Sequence, residues 1–133
     1  MNLIDVYSVD DGPLVLWELL KERTPEQAIS HEEMPSWDEH VAYIAKRPVK
    51  HWYLICNDDS WVGSIYLSRR REIGIWIFRI HQRQGYGTAA VNELMRLHPG
   101  EFYANIAPMN FDSHAFFNRM EFKMIQSTYK RGG

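Results

Sequence analysis

The segment Gln82-Arg83-Gln84-Gly85-Tyr86-Gly87-Thr88 limits the fold more than any other part of the chain. It follows the apolar run Ile73-Gly74-Ile75-Trp76-Ile77-Phe78. It opens a stretch whose apolar members, Ala89, Ala90, Val91, Leu94, Met95 and Leu97, recur at helical spacing. A strand, a glycine turn and a helix start therefore follow one another. Glycines in such a turn let backbone N–H groups approach an anion unhindered, and a helix N-terminus adds about half a unit of positive charge. The turn reads as a phosphate cradle. A glycine pair at a helix start also arises as plain turn punctuation, so the cradle needs support from elsewhere in the chain.

Spacing removes two common cradles. The dinucleotide pattern G-x-G-x-x-G fails because Gly85 and Gly87 are followed by Thr88, Ala89 and Ala90. The nucleoside-triphosphate loop needs Gly-Lys-Ser/Thr, and no lysine lies between Lys50 and Lys123.

A chain of 133 residues with 45% hydrophobic content can bury one core, so residues 1–130 read as one domain and residues 131–133 as a frayed tail. A net charge of −2 gives no general attraction to nucleic acid or an anionic membrane, and Arg69-Arg70-Arg71 reads as a solvated hairpin turn. Cys56 is the only cysteine and sits in the apolar run Trp52-Tyr53-Leu54-Ile55-Cys56, which points to burial rather than nucleophilic chemistry. The histidines show no ligand spacing, so no metal is expected. No signal peptide or bilayer-length apolar run is visible, which makes a soluble cytoplasmic protein the default.

Residues 2–8 alternate as a first strand, and Asp11-Gly12-Pro13 enters a helix carrying Leu14, Leu16, Leu19 and Leu20. Residues 24–35 are polar and broken by prolines. Ser36 with Glu39 forms a capping box for a second helix. His51–Cys56, Trp61–Leu67 and Ile73–Ile80 read as an antiparallel meander joined by two polar turns. A helix over 84–97, a strand over 101–107, a helix over 112–120 and a strand over 122–129 complete the pattern.

This order, with Gln-x-x-Gly-x-Gly between strand and helix, resembles the Gcn5-related N-acetyltransferases over nearly the whole chain. A second motif agrees. In that family an asparagine after the fifth strand leads a helix whose eighth residue is often tyrosine, followed by Gly-Phe. Here the run is Asn110-Phe111-Asp112-Ser113-His114-Ala115-Phe116-Phe117, and Glu121-Phe122 stands in place of Gly-Phe. The resemblance implies an α/β fold with a mixed, mostly antiparallel sheet of six to seven strands and about four helices. It implies acetyl-coenzyme A as co-substrate: the pyrophosphate on the N–H groups of Gln84, Gly85, Tyr86, Gly87 and Thr88, with Gln82 or Arg83 on nearby oxygens. The pantetheine arm would pair with the backbone around Ile75, Trp76 and Ile77, with Asn110 hydrogen-bonding it and Phe117 beside the thioester sulfur.

Two departures from the family carry consequences. Phe117 has no proton to give the leaving thiolate, which leaves water, Tyr103 or an unprotonated departure. Glu121 would be costly in a left-handed backbone by about 1–2 kcal/mol, so the helix before it is expected to end differently from the family's.

A lysine-like amine has a pKa near 10.4 and must lose a proton before it attacks. By resemblance Glu72, at the start of the fourth strand, is the base; the alternative is an ion pair with an arginine of the preceding turn. Asn105 stands where peptide-acetylating relatives carry a glutamate and is expected to orient substrate or water. His31 and Tyr66 are expected at the acceptor site. The acceptor is expected to be a small amine such as an amino sugar. A non-catalytic acyl-CoA-binding module and an enzyme for protein or peptide amines are the alternatives, and the resemblance is compatible with a homodimer.

Overall fold

The computed structural model describes residues 1–23 and 34–132. Its centre is a four-stranded antiparallel sheet in the order β1 (Asn2–Asp5), β2 (His51–Asn57), β3 (Ser60–Leu67), β4 (Ile73–Ile77). Leu3 faces Ile55, Tyr53 faces Ile65, and Ile65 faces Ile75. The period-two alternation of these strands divides the apolar residues between two faces. Ile55, Ile65, Leu67, Ile73, Ile75 and Ile77 pack against α3 (Tyr86–Leu97) and α4 (Phe111–Arg119). Trp52, Leu54, Trp76 and Phe78 pack with α1 (Gly12–Lys21) and α2 (Trp37–Ala45) on the other face.

The helix starts follow local chemistry. The Ser36 side chain accepts the Glu39 N–H while the Glu39 carboxylate accepts the Ser36 N–H, the reciprocal capping box the spacing predicts. Pro13 sits in the first turn of α1, where its missing N–H costs nothing.

The sheet has four strands rather than the six to seven expected. The first strand stops at Asp5, whose side chain accepts the Tyr7 N–H and turns Val6–Ser8 into a 3-10 turn. Residues 101–107 keep the strand alternation, with Phe102, Ala104 and Ile106 packed on the core. Their backbone nevertheless meets β4 only once, in a parallel bridge between Glu72 and Tyr103. Residues 122–129 form no ladder with any of the described residues. Alternation records which face of a segment is apolar, and it carries no information on whether a neighbouring backbone lies within hydrogen-bonding distance.

The end of α4 also departs from expectation. Glu121 has φ +67, Glu121 N–H donates to Asn118 O, and Phe122 N–H donates to Phe117 O. These two bonds are a Schellman closure, and the Phe117–Phe122 ring pair at 5.1 Å supplies the apolar contact that accompanies it. The helix thus ends as a glycine-closed helix does, with a glutamate in the left-handed position.

Arg71 is not part of a solvated turn. Its guanidinium donates to the carbonyls of Glu101 and His98, both at 2.6 Å, and lies over the Phe102 ring. It fastens the β3–β4 turn to the chain entering 101–107. Arg69 and Arg70 are exposed.

Candidate functional site

The parallel bridge is where the site begins. Ile73 N–H donates to Tyr103 O and Tyr103 N–H to Arg71 O, and no further backbone bond joins β4 to 104–107 among the described residues. Ile73 therefore directs its backbone groups away from β3, and by alternation so do Ile75 and Ile77, while Trp76 directs its own toward Ser64. Ile77 O accepts the Gln82 side-chain amide at 2.9 Å. The N–H and C=O of Ile75 have no partner among the described residues. A cleft between β4 and the diverging segment 104–107, with an unused hydrogen-bonding edge on the β4 wall, is the result.

Beyond the cleft the chain passes through a 3-10 turn, Arg79–His81, into the glycine segment. Gly85 is the N-cap of α3 with φ +85, a conformation open to glycine at no steric cost, and no side chain caps the helix. The first intrahelical bond runs from Ala89 N–H to Gly85 O. The N–H groups of Gly85, Tyr86, Gly87 and Thr88 thus lack intrahelical acceptors. Residues 82–85 and Thr88 are exposed, so no other described segment covers them. Helix α3 begins at Tyr86, two residues later than its sequence suggests, because Gly85 and Arg83 (φ +64) are both left-handed.

Side chains around this start shape it. Gln82 and Gln84 donate to the carbonyls of Ile77 and Ile80 and hold the loop to the end of β4. Arg83 is exposed with no partner among the described residues. The Tyr86 hydroxyl accepts from Asn57 Nδ2 at 3.1 Å, which fixes the ring against the β2–β3 turn. Asn57 has no signal in the sequence beyond its place in a polar turn. Glu22, at the end of α1, accepts the Arg79 N–H and offers its carbonyl to the Arg79 guanidinium, so α1 ends beside the cleft. His31 lies outside the described residues.

On the α1/α2 face the structure brings Glu72 and Asn105 together. Asn105 Nδ2 donates to Glu72 Oε2 at 2.5 Å, Ser68 Oγ lies 3.3 Å from Glu72 Oε1, and Glu72 N–H donates to Ser68 Oγ. No arginine pairs with Glu72 among the described residues. Ser68 is a partner that sequence reasoning missed; its only signal is its place across the hairpin turn, four residues before Glu72. Tyr66 lies on the same face with its ring over Gly74, where a Cβ would overlap the ring. Burial, then the neighbouring Tyr43 and Glu72, pushes the Tyr66 phenol above its usual range. The indole N–H groups of Trp52 and Trp76 are buried without partners among the described residues.

Helix α4 holds the remaining candidates. Asn110 is its N-cap, its side chain accepting the Ser113 N–H at 3.2 Å. Phe117 is 6% exposed and edge-packed between Phe116 and Phe122. The Tyr103 hydroxyl donates to Glu101 Oε2 at 2.7 Å, and that carboxylate raises the phenol's pKa. No helix among the described residues is long and apolar enough to cross a membrane.

Comparison with known proteins identifies the family and the fold. A family model described as the acetyltransferase (GNAT) family matches residues 15–122. No curated protein matches the chain significantly. Among solved structures, the aminoglycoside 6'-N-acetyltransferase AAC(6')-Ig from Acinetobacter haemolyticus is similar at 16% identity and TM-score 0.72, over 100% of this chain and 98% of its own. A transcriptional regulator from Bacillus halodurans C-125 is similar at 15% identity and TM-score 0.72, over 99% of both chains. YhhK from E. coli, solved bound to coenzyme A, is similar at 15% identity and TM-score 0.62, over 95% of this chain and 94% of its own. At these identities the likeness is one of fold.

Proposed function

This chain belongs to the GNAT acetyltransferase family, and from that premise we propose that it transfers the acetyl group of acetyl-coenzyme A to a small amine, such as an amino sugar, by direct attack. One observation carries the reading: the unpaired Ile75 edge of β4 leads within a few residues to the uncapped, exposed start of α3. The Ile75 N–H and C=O suit the amides of a pantetheine arm, which would lie along β4 as a missing strand. The N–H groups of Gly85 to Thr88 and the helix dipole suit a diphosphate, and the Arg83 guanidinium is free to meet it. The coenzyme A bound by YhhK and the aminoglycoside acetylated by AAC(6')-Ig support this donor and this class of acceptor.

The chemistry needs a neutral amine, and Glu72 is the group to accept its proton. Asn105 and Ser68 each hold one carboxylate oxygen, which fixes the orientation of the base before substrate arrives. A backbone N–H of β4 polarises the thioester oxygen as the amine attacks the carbonyl carbon. The C–S bond then breaks, and the thiolate takes its proton from water. Phe117 has none to give, Tyr103 is engaged by Glu101, and a thiol pKa near 8.5 makes the thiolate a tolerable leaving group. No acyl-enzyme forms in this scheme, since the single cysteine, Cys56, lies in β2 away from the cleft.

Calorimetric titration with coenzyme A, combined with turnover on amino sugars, polyamines, amino acids and short peptides, tests the reading. Binding should survive in Glu72→Gln while turnover falls by about 10²-fold or more. Full activity of that variant from about pH 6 to about pH 9 would exclude Glu72 as base. Absence of binding heat defeats the reading, and binding without turnover on any amine makes the chain a coenzyme-binding module instead.

A further inference from the structure

Segment 101–107 is held to β4 by one backbone bridge, Ile73 N–H to Tyr103 O and Tyr103 N–H to Arg71 O. Asn105 lies two residues beyond that bridge, where no further backbone bond to β4 occurs among the described residues, yet its side chain meets Glu72. One bridge fixes a point on the segment and leaves its direction free. A second anchor is needed, and Arg71 supplies it. Its carbonyl accepts the Tyr103 N–H, its Nε donates to Glu101 O and its Nη2 to His98 O, so a single residue grips the chain at positions 98, 101 and 103. The guanidinium also lies over the Phe102 ring, 4.6 Å from its centroid.

The seat of this guanidinium is shaped to it. Gly100 stands at φ +145, and a Cβ there would fall 2.8 Å from Nη2 and 3.0 Å from Cζ, so glycine lets the cation reach both carbonyls. Arg71 itself stands at φ +63, a left-handed position that glycine would take at less cost. Such a backbone persists where the surroundings hold the side chain. Arg69 and Arg70, in the same turn, are exposed. That turn also carries Ser68, whose Oγ lies 3.3 Å from Glu72 Oε1, while Asn105 holds the other oxygen. Both partners of the carboxylate are therefore placed from one hairpin, Ser68 directly and Asn105 by way of Arg71.

We propose that Arg71 is a positioning residue of the acetyl-transfer site: it sets the direction in which 101–107 leaves β4 and so brings Asn105 Nδ2 onto Glu72 Oε2. The proposal rests on the reading of Glu72 as the base. Arg71 touches neither donor nor acceptor, and its effect reaches the chemistry only through Asn105. Lysine cannot take its place, because a single ammonium lacks the planar fork that meets two carbonyls while lying flat on a ring.

Steady-state kinetics and NMR on the full chain test it. In Arg71→Lys kcat should fall by about 10- to 100-fold, the loss expected when a reacting group is displaced from a distance, while KM for acetyl-CoA stays at its wild-type value. The Asn105 side-chain amide signal, assigned by its disappearance in Asn105→Ala, should move in the same variant. Gly100→Ala keeps Arg71 but intrudes on its seat, and should repeat both effects. Arg70→Gln, in the same turn and exposed, should show neither. In the Asn105→Ala background Arg71→Lys should cost nothing further, since two residues acting through one contact are not additive. Losses that multiply in the double variant would reduce Arg71 to a support of the fold and overturn the proposal. An Arg71→Lys enzyme with wild-type kcat, or an Asn105 signal that does not move, overturns it as well. The NMR arm needs no substrate, so it decides on Arg71 even if the wild type acetylates no amine, a result that would defeat the proposed reaction instead.

Discussion

Replacing Glu121 by glycine should stabilise the protein although it removes atoms and adds none. Glu121 stands at φ +67, the left-handed position of the closure that ends α4. For a residue with a Cβ this backbone costs roughly 1–2 kcal/mol, and glycine does not incur it. Against that, glycine raises the entropy of the unfolded chain by an equivalent of about 0.4–1 kcal/mol. The net expected gain is about 0.5–1 kcal/mol. With an unfolding entropy of about 2.1 cal/mol/K per residue, 133 residues give roughly 0.28 kcal/mol/K, so Tm should rise by about 2–4 °C. Part of any gain from removing Glu121 comes from its charge, since an anion at a helix C-terminus opposes the dipole. Glu121→Ala removes the charge and keeps the strained backbone, so the Gly-minus-Ala difference isolates the conformational cost. Thermal unfolding followed by circular dichroism on wild type, Glu121→Ala and Glu121→Gly provides the assay. If the alanine and glycine variants melt together, the backbone argument is wrong and the charge alone accounts for the change.

Two further outcomes follow from the packing. Phe117→Tyr places a hydroxyl between Phe116 and Phe122 in the core; unfolding in urea should show a loss of about 1–3 kcal/mol for the unpaired buried group, and unchanged stability would mean that the ring edge reaches the cleft. His51 and His98 stack at 3.9 Å between centroids, and burial, then neighbouring cations, pushes both pKa values below the usual histidine range. Their folded pKa values lie under the unfolded value of about 6.5, so stability is full above that pH and falls as the unfolded chain takes up protons below it. The urea midpoint should drop from about pH 7.5 to about pH 5.5 and drop less in His51→Gln; an equal drop in both proteins would assign the effect to other groups.

The meander, the capping box at Ser36 and the glycine-led start of α3 were legible from residue order, because each depends on contacts within a few positions: hydrophobic period, a side chain reaching N3, a glycine with positive φ. The family pattern was legible for the same reason, since both of its motifs are local. What tertiary structure alone decided is where backbones part and where they meet. Residues 101–107 alternate like a strand, yet they touch β4 at one residue, and this divergence opens the cleft beside Ile75. Arg71 looks like a surface charge and is instead a clamp on His98 and Glu101, held there by chain distant in sequence. The contact of Glu72 with Asn105 spans 33 residues and joins the ends of two separate segments. Local composition specifies the torsion and the buried face of a segment, whereas the spacing between segments is a balance of packing over the whole core, and the candidate site lies in that spacing.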